Sequence, residues 1–133
     1  MRGSTILVAA LGWTLVVAGV ARAADADNPN HAAYVKYCGA CHGPNGKGDG
    51  IIAPLMTPKP TNLTLLAKQH GGEFDAMAVY KSVSGAGMPK AHGDSEMPVW
   101  GEELRHEVGG GDPRTAEVTL VKIVNYLRSI QQK

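Results

Sequence analysis

The chain is expected to fold as an all-α domain with a large share of loop. Three observations lead there. No run alternates apolar and polar residues as a half-buried strand does. Apolar residues instead recur at helical spacing in several stretches, the clearest of them opened by an Asn or Asp that can cap a helix. Between these stretches stand clusters drawn from 17 glycines and 8 prolines, which end helices and turn the chain. With 133 residues and no internal repeat, one domain is the expectation.

The chain opens Met1-Arg2 and continues with an apolar run from Ile6 to Ala21, broken only by Gly12, Thr14 and Gly19. Ala21-Arg22-Ala23 then forms an A-x-A cleavage pattern ahead of the polar Asp25, Asp27 and Asn28. A positive start, a short apolar core and a small-residue site describe a secretory signal peptide over residues 1–23. The run of 16 residues is slightly short for a membrane span, so an uncleaved anchor is the lesser alternative. Cutting after Ala23 takes 23 of the 133 residues and leaves a domain of 110, residues 24–133. It also removes Arg2 and Arg22, so Lys plus Arg falls from 13 to 11 against 12 acidic residues, a formal charge of −1. That balance offers no basic stripe for nucleic acid and no strong global field to steer a partner.

A first helix is expected from Asn28, the cap, with Pro29 at its first position, running through Tyr34 into Cys38 and Cys41, which share a face. His31 on its first turn reads as a surface residue. Gly43-Pro44-Asn45-Gly46-Lys47-Gly48-Asp49-Gly50 is a tight loop; it lacks the Gly-Lys-Ser/Thr ending and preceding strand of a phosphate loop. Ile51 to Met56 is an apolar patch. Thr57 to Asn62 is extended or turned, because residues before proline avoid helix. Thr61 or Asn62 caps a short helix through Leu63, Leu65, Leu66 and Ala67, ended by His70-Gly71-Gly72. A further helix is expected over Glu73 to Val83, with Phe74, Met77, Ala78 and Val83 facing inward, stopped at Gly85-Ala86-Gly87. Met88 to Gly101 reads as loop, and the charged stretch from Glu102 to Val108 as its continuation, with His106 facing solvent. Asp112-Pro113 opens the last helix, out to about Ser129, with Leu120, Ile123, Val124, Leu127 and Ile130 as its apolar stripe.

One stretch carries chemistry. Cys38-Gly39-Ala40-Cys41-His42 reads C-x-x-C-H, the attachment signal for a c-type haem. Each thiol adds across one haem vinyl group to give a thioether, and two intervening residues on a helical turn match the reach between the vinyls. The histidine follows directly, so its imidazole becomes the proximal iron ligand. C-x-x-C also occurs in thioredoxin-like sites and in zinc sites. The first expects a βαβ pattern, which is absent; the second expects a second ligand pair, and these are the only 2 cysteines. In an exported chain the default for paired cysteines is a disulfide, and His42 overrides it.

The Gly/Pro-rich loop holds three candidates for a sixth ligand, Met88, His92 and Met97. Met88 and Met97 both precede proline, so local grammar does not choose. Met97 is followed by Trp100, which is placed to close over the haem edge. Met56 and Met77 lie in stretches read as core. Asp94, Glu96, Glu102 and Glu103 cluster after the ligand loop and read as a solvated rim, or more sharply as a surface that steers a basic partner.

Taken in order, Cys38-Gly-Ala-Cys41-His42-Gly43, the Gly46-x-Gly48-x-Gly50 loop and Met97-Pro98-Val99-Trp100-Gly101 resemble the small class I c-type cytochromes. The likeness is greatest to the monohaem modules of bacterial respiratory chains, including the cbb3 oxidase type, and spans the mature chain. The resemblance implies three to five helices with long loops around one haem, with the first and last helices crossing. Tyr34 matches the aromatic position of that crossing, to be met by Tyr126 or Leu127; Asn30 stands where the family has a small residue. Pro54, twelve residues after His42, matches the proline whose carbonyl accepts the Nδ1–H of the proximal histidine. Met97 matches the distal ligand. The implied function is a periplasmic electron carrier, not an enzyme, with one haem c and redox protein partners such as a membrane-bound dehydrogenase or oxidase. No small molecule would bind the iron. Rival readings are a haem subunit of a larger oxidoreductase, a haem enzyme with an open sixth position, and a haem-free thiol protein.

Overall fold

The computed structural model describes residues 28–86, 97–107 and 112–132. Residues 1–23, read as a signal peptide, lie outside the described residues, as do Met88, His92, Asp94 and Glu96. Five α-helices make up the described fold: α1 Pro29–His42, α2 Leu66–Gln69, α3 Ala76–Ser84, α4 Trp100–Glu107 and α5 Pro113–Ser129. Two short 3₁₀ turns, Ala53–Leu55 and Leu63–Leu65, precede α2. There is no strand among the described residues, so the all-α class holds. No described helix is long and apolar enough to cross a membrane.

Cap chemistry fixes the helix starts. Asn28 Oδ1 accepts from the Asn30 amide at 2.9 Å, with Pro29 at the first position, and Asp112 does the same for α5 through Arg114. Asn62 accepts from the Thr64 amide at 3.0 Å. Asp75 accepts from both Met77 and Ala78 amides, which starts α3 at Ala76 rather than at Glu73. That later start changes which face is buried. Val83 is buried as expected, and Phe74, just outside the helix, packs on the core. Met77, however, is 61% exposed and Ala78 also faces solvent, while Val79 and Tyr80 pack inward.

The core is built where α1 crosses α5. The Tyr34 and Tyr126 rings meet with centroids 4.6 Å apart and planes tilted by 37°. Around them Cys38, Ile123 and Leu127 are buried, with Leu63 and Ile130 against them. Both tyrosines also tie the crossing to the loop after α1. Tyr34 donates to the Gly43 carbonyl at 2.9 Å and Tyr126 to the Pro44 carbonyl at 3.0 Å. His31, read as a surface residue, is partly buried and held at the crossing. Its Nε2 bonds the same Pro44 carbonyl at 3.1 Å, and its ring lies 4.8 Å from Tyr126.

A second cluster, Val83, Leu104, Ala116 and Leu120, packs α3 and α4 against α5. Here the expected loop over Glu102–Val108 is a helix as far as Glu107. Only Gly101 and Leu104 of α4 are buried, and Glu102, Glu103 and His106 face solvent. Gly101 is required: a methyl group there would overlap the Ser84 carbonyl oxygen at the end of α3. The C-terminus closes the fold. Gln131 accepts from the Ala67 amide and donates to the Leu63 and Leu127 carbonyls.

Burial pushes the Tyr34 hydroxyl well above the ordinary tyrosine range, with Cys38 adding to the effect. The unfolded chain ionises this group near pH ~10, whereas the folded chain keeps the proton. Above that pH the folded state binds more protons, so stability falls as pH rises, by about 1.4 kcal/mol per pH unit. Below it the contribution is intact. Tyr34→Phe is expected to remove this share of the alkaline decline. It should also cost about 0.5–1.5 kcal/mol at neutral pH through the lost hydrogen bond, the Gly43 carbonyl keeping the Gly46 amide at 3.2 Å. Urea unfolding midpoints of both proteins across the neutral to alkaline range read both effects.

Candidate functional site

The last turn of α1 presents Cys38, Cys41 and His42 to one cleft. The carbonyls that end the helix are met by amides of the glycine-rich loop. Gly43 donates to Gly39 at 2.9 Å, Ile52 to Ala40 at 3.1 Å, Gly50 to Cys41 at 3.1 Å and Gly48 to His42 at 2.8 Å. The loop therefore wraps the helix end and satisfies groups that would otherwise be orphaned. It then passes through the Ala53–Leu55 turn and returns along Met56 to Thr61, which with Met97, Pro98, Trp100 and Tyr37 completes the cleft. The cleft contains about 760 Å³ of empty space, part of it open to solvent.

His42 is only 8% exposed. Its Nδ1 lies 2.9 Å from the Thr61 carbonyl oxygen. A carbonyl only accepts, so Nδ1 carries the proton and Nε2 keeps the lone pair that a metal needs. The expected partner, Pro54, does not fill this role. Pro54 is exposed on the 3₁₀ turn and lies outside the lining of the cleft. The reason is the docking of Gly50 and Ile52 onto the end of α1. That docking holds the Ala53–Leu55 turn outside the cleft, and the chain comes back over His42 only at Pro60 and Thr61.

Met97 is half-buried, packs on the second core cluster and lines the cleft with His42. Met88 and His92, the other sixth-ligand candidates, fall outside the described residues. Trp100 is also in the lining, held edge-on to Tyr37 with centroids 5.5 Å apart. Met56, read from the sequence as core, is a second thioether in the lining. Nothing in its sequence setting marks it out from a core methionine. Among the described residues, Lys59 is the one Lys, Arg, Asp or Glu side chain of the lining.

The chemistry of the cysteine pair separates the readings of C-x-x-C. Burial pushes the Cys38 thiol up to about 12, and Cys41 adds to the shift. Cys38 is 6% exposed, and both cysteines sit in the last turns of α1, where the negative end of the helix dipole opposes a thiolate. Thiol–disulfide enzymes need the reverse: an exposed thiol with a lowered value, often at a helix N-terminus. Nor do three His, Cys, Asp or Glu side chains converge on a point among the described residues, as they would on a bare ion. The donor set does fit a flat apolar group carrying its own metal. Two thiols and a lone-pair nitrogen edge the cleft, a thioether stands in the same lining, and proline and aromatic side chains form the walls. No protein-family model, curated protein or solved structure matches the chain.

Proposed function

We propose that the chain is an exported, periplasmic electron carrier of the class I cytochrome c type, with one haem c held by Cys38 and Cys41 and ligated by His42 and Met97. One observation carries the reading. Cys38, Cys41, His42 and Met97 border a single cleft, and the Nδ1 contact of His42 with the Thr61 carbonyl leaves Nε2 as the nitrogen a metal would use. The leader pattern of residues 1–23 supports export.

Haem bound in this cleft supplies a one-electron ferric/ferrous couple. The chain's residues set the conditions for it. Cys38 and Cys41 tether the group by thioethers, formed when each S–H adds across a vinyl double bond. The Thr61 carbonyl orients the His42 ring and makes Nε2 a stronger donor. The Met97 thioether, soft and neutral, favours the ferrous state and so raises the potential relative to a second histidine. Together His42 and Met97 leave no position for a substrate, which makes the role electron transfer rather than catalysis. Tyr37, Pro58, Pro60 and Trp100 limit water around the group. The chain's redox partners would be other proteins, such as a membrane-bound dehydrogenase or oxidase.

The test is a redox titration followed by absorbance, together with the mass of the matured, exported protein. The expected result is one haem per chain, a single one-electron step and a low-spin spectrum in both states. A haem-loaded protein that is high-spin when oxidised would replace the carrier with a ligand-binding haem.

A further inference from the structure

We propose that the junction between the end of α3 and the start of α4, where Gly85 meets Val99 and Ser84 meets Gly101, is a clasp that keeps Met97 on the iron. Gly85 and Val99 are then positioning residues for the distal ligand, an inference that rests on the haem reading above. Only Pro98 and Val99 separate Met97 from Trp100, the first residue of α4. Two glycines let the helix ends close on this short piece. Gly85 caps α3 in the left-handed region, with φ 73°, and a Cβ at that position would run into Cγ1 of Val99. Gly101 lies as tightly against the Ser84 carbonyl. Core filling does not account for the first contact. Val99 is 54% exposed and belongs to neither buried cluster. The start of α4 is held from its other sides too. Trp100 stands edge-on to Tyr37, the neighbour of Cys38, and Leu104 is fully buried. Met97 thus hangs from a support fixed both to α3 and to the helix that carries Cys38, Cys41 and His42.

The support matters because of what it carries. A thioether is soft and neutral and favours ferrous iron, so its bond to the ferric state is the weaker one. Its hold there depends on how near the sulfur stays once it lets go. A short, fixed support gives the sulfur a high effective concentration at the iron, and a loose one lets it stray. A competing ligand reads this directly. Imidazole can enter only while Met97 is off, so its apparent dissociation constant is the intrinsic one divided by the fraction of protein in that state. Loosening the clasp raises that fraction and tightens imidazole binding without touching either the iron or Met97 itself.

The experiment titrates imidazole into the oxidised, haem-loaded protein and follows absorbance. Wild type should bind weakly and Met97→Ala tightly, since there the position is always open. Gly85→Ala pushes Val99 away, and Val99→Ala removes the methyl groups that rest on Gly85. Each should lower the apparent dissociation constant about tenfold, with the near-infrared band of Met ligation still present before imidazole is added. The two changes should compensate one another. With the Val99 γ-methyls gone, a Cβ at position 85 would stand 3.4 Å from Cβ of residue 99, an ordinary contact. The double variant should therefore bind imidazole more weakly than Gly85→Ala alone. In a Met97→Ala background neither substitution should change the affinity, whereas a general loosening of the pocket would still change it. Wild-type affinity in the single variants would overturn the clasp, as would an equal gain with and without Met97. Val99→Ala alters an exposed side chain, so this arm reads out even if Gly85→Ala fails to fold. A haem-loaded Met97→Ala with wild-type imidazole affinity would sink the distal-ligand reading instead, and a protein without haem absorbance the haem reading.

Discussion

Replacing Cys38 and Cys41 together with alanine is expected to abolish covalent haem attachment: the exported chain should show, under denaturing conditions, only its own mass. In the proposed holoprotein each thiol would supply one of two bonds between chain and porphyrin, and there is no third cysteine to substitute. His42 and Met97 would then hold the metal only by reversible bonds, and the cleft is partly open to solvent. Any residual haem should therefore be lost on unfolding. The structural cost should be large as well. Without the group, the cleft between α1 and the Met56–Thr61 segment loses its filling. Among the described residues, the remaining core is two small clusters of five and four buried residues. A group bound only by the folded state stabilises it, so its loss should lower the unfolding midpoint or leave the chain unfolded. The single variants separate the two thiols. Cys41→Ala keeps the buried Cys38 linkage and should retain covalent haem with one free vinyl, seen as a shifted ferrous absorbance band. A wild-type chain that passes through haem maturation without gaining mass would remove the assignment altogether.

Met97→Ala should convert the oxidised protein from low-spin to high-spin and open the iron to added imidazole. The loss of the thioether should lower the reduction potential on the order of 100 mV or more, within the ~0.8 V range that axial ligands span. The direction follows from ligand softness, since the thioether favours ferrous iron. Met56→Ala is the internal control, because it removes the other thioether of the same cleft. It should leave the spin state and the weak near-infrared band of Met-ligated ferric haem in place. If that band survives in Met97→Ala and vanishes in Met56→Ala, the distal role belongs to Met56. If it survives in both, the role falls to Met88; if it vanishes in Met97→Ala while the haem stays low-spin, His92 has taken the position.

Much of the helical framework was legible because its signals are local. Asn28-Pro29 and Asp112-Pro113 cap and start α1 and α5 where their side-chain chemistry requires, and the stripe Leu120, Ile123, Val124 and Leu127 is the buried face of α5. The helix α4 was not legible. One fully buried leucine in eight residues makes no periodic pattern, and the helix rests on contacts from elsewhere. Those contacts are the approach of Gly101 to Ser84, Tyr37 against Trp100, and the exposed Lys36–Glu107 pair at 3.3 Å. A pair so open contributes little, so the helix depends mainly on the packing. The inward face of α3 was misjudged by a small shift of start, set by Asp75. In the cleft, the grouping of Cys38, Cys41 and His42 was readable from their spacing, because residues so close on one helix end reach the same edge. Thr61 was not readable in place of Pro54. Its contribution is a backbone carbonyl, which every residue has, and only the path of the loop decides which one arrives.

That anonymity has a mutational consequence. The acceptor that steadies the imidazole belongs to the main chain, so no exchange of side chain at position 61 can delete it. It can be lost only by rerouting the stretch from Gly43 to Asn62, whose course is tied down at several points, including the 2.7 Å bond from the Leu63 amide to the Gly46 carbonyl. The electronic character of the histidine is thus insulated from most single-base changes in its surroundings. Exposed side chains on that stretch can be exchanged without touching it.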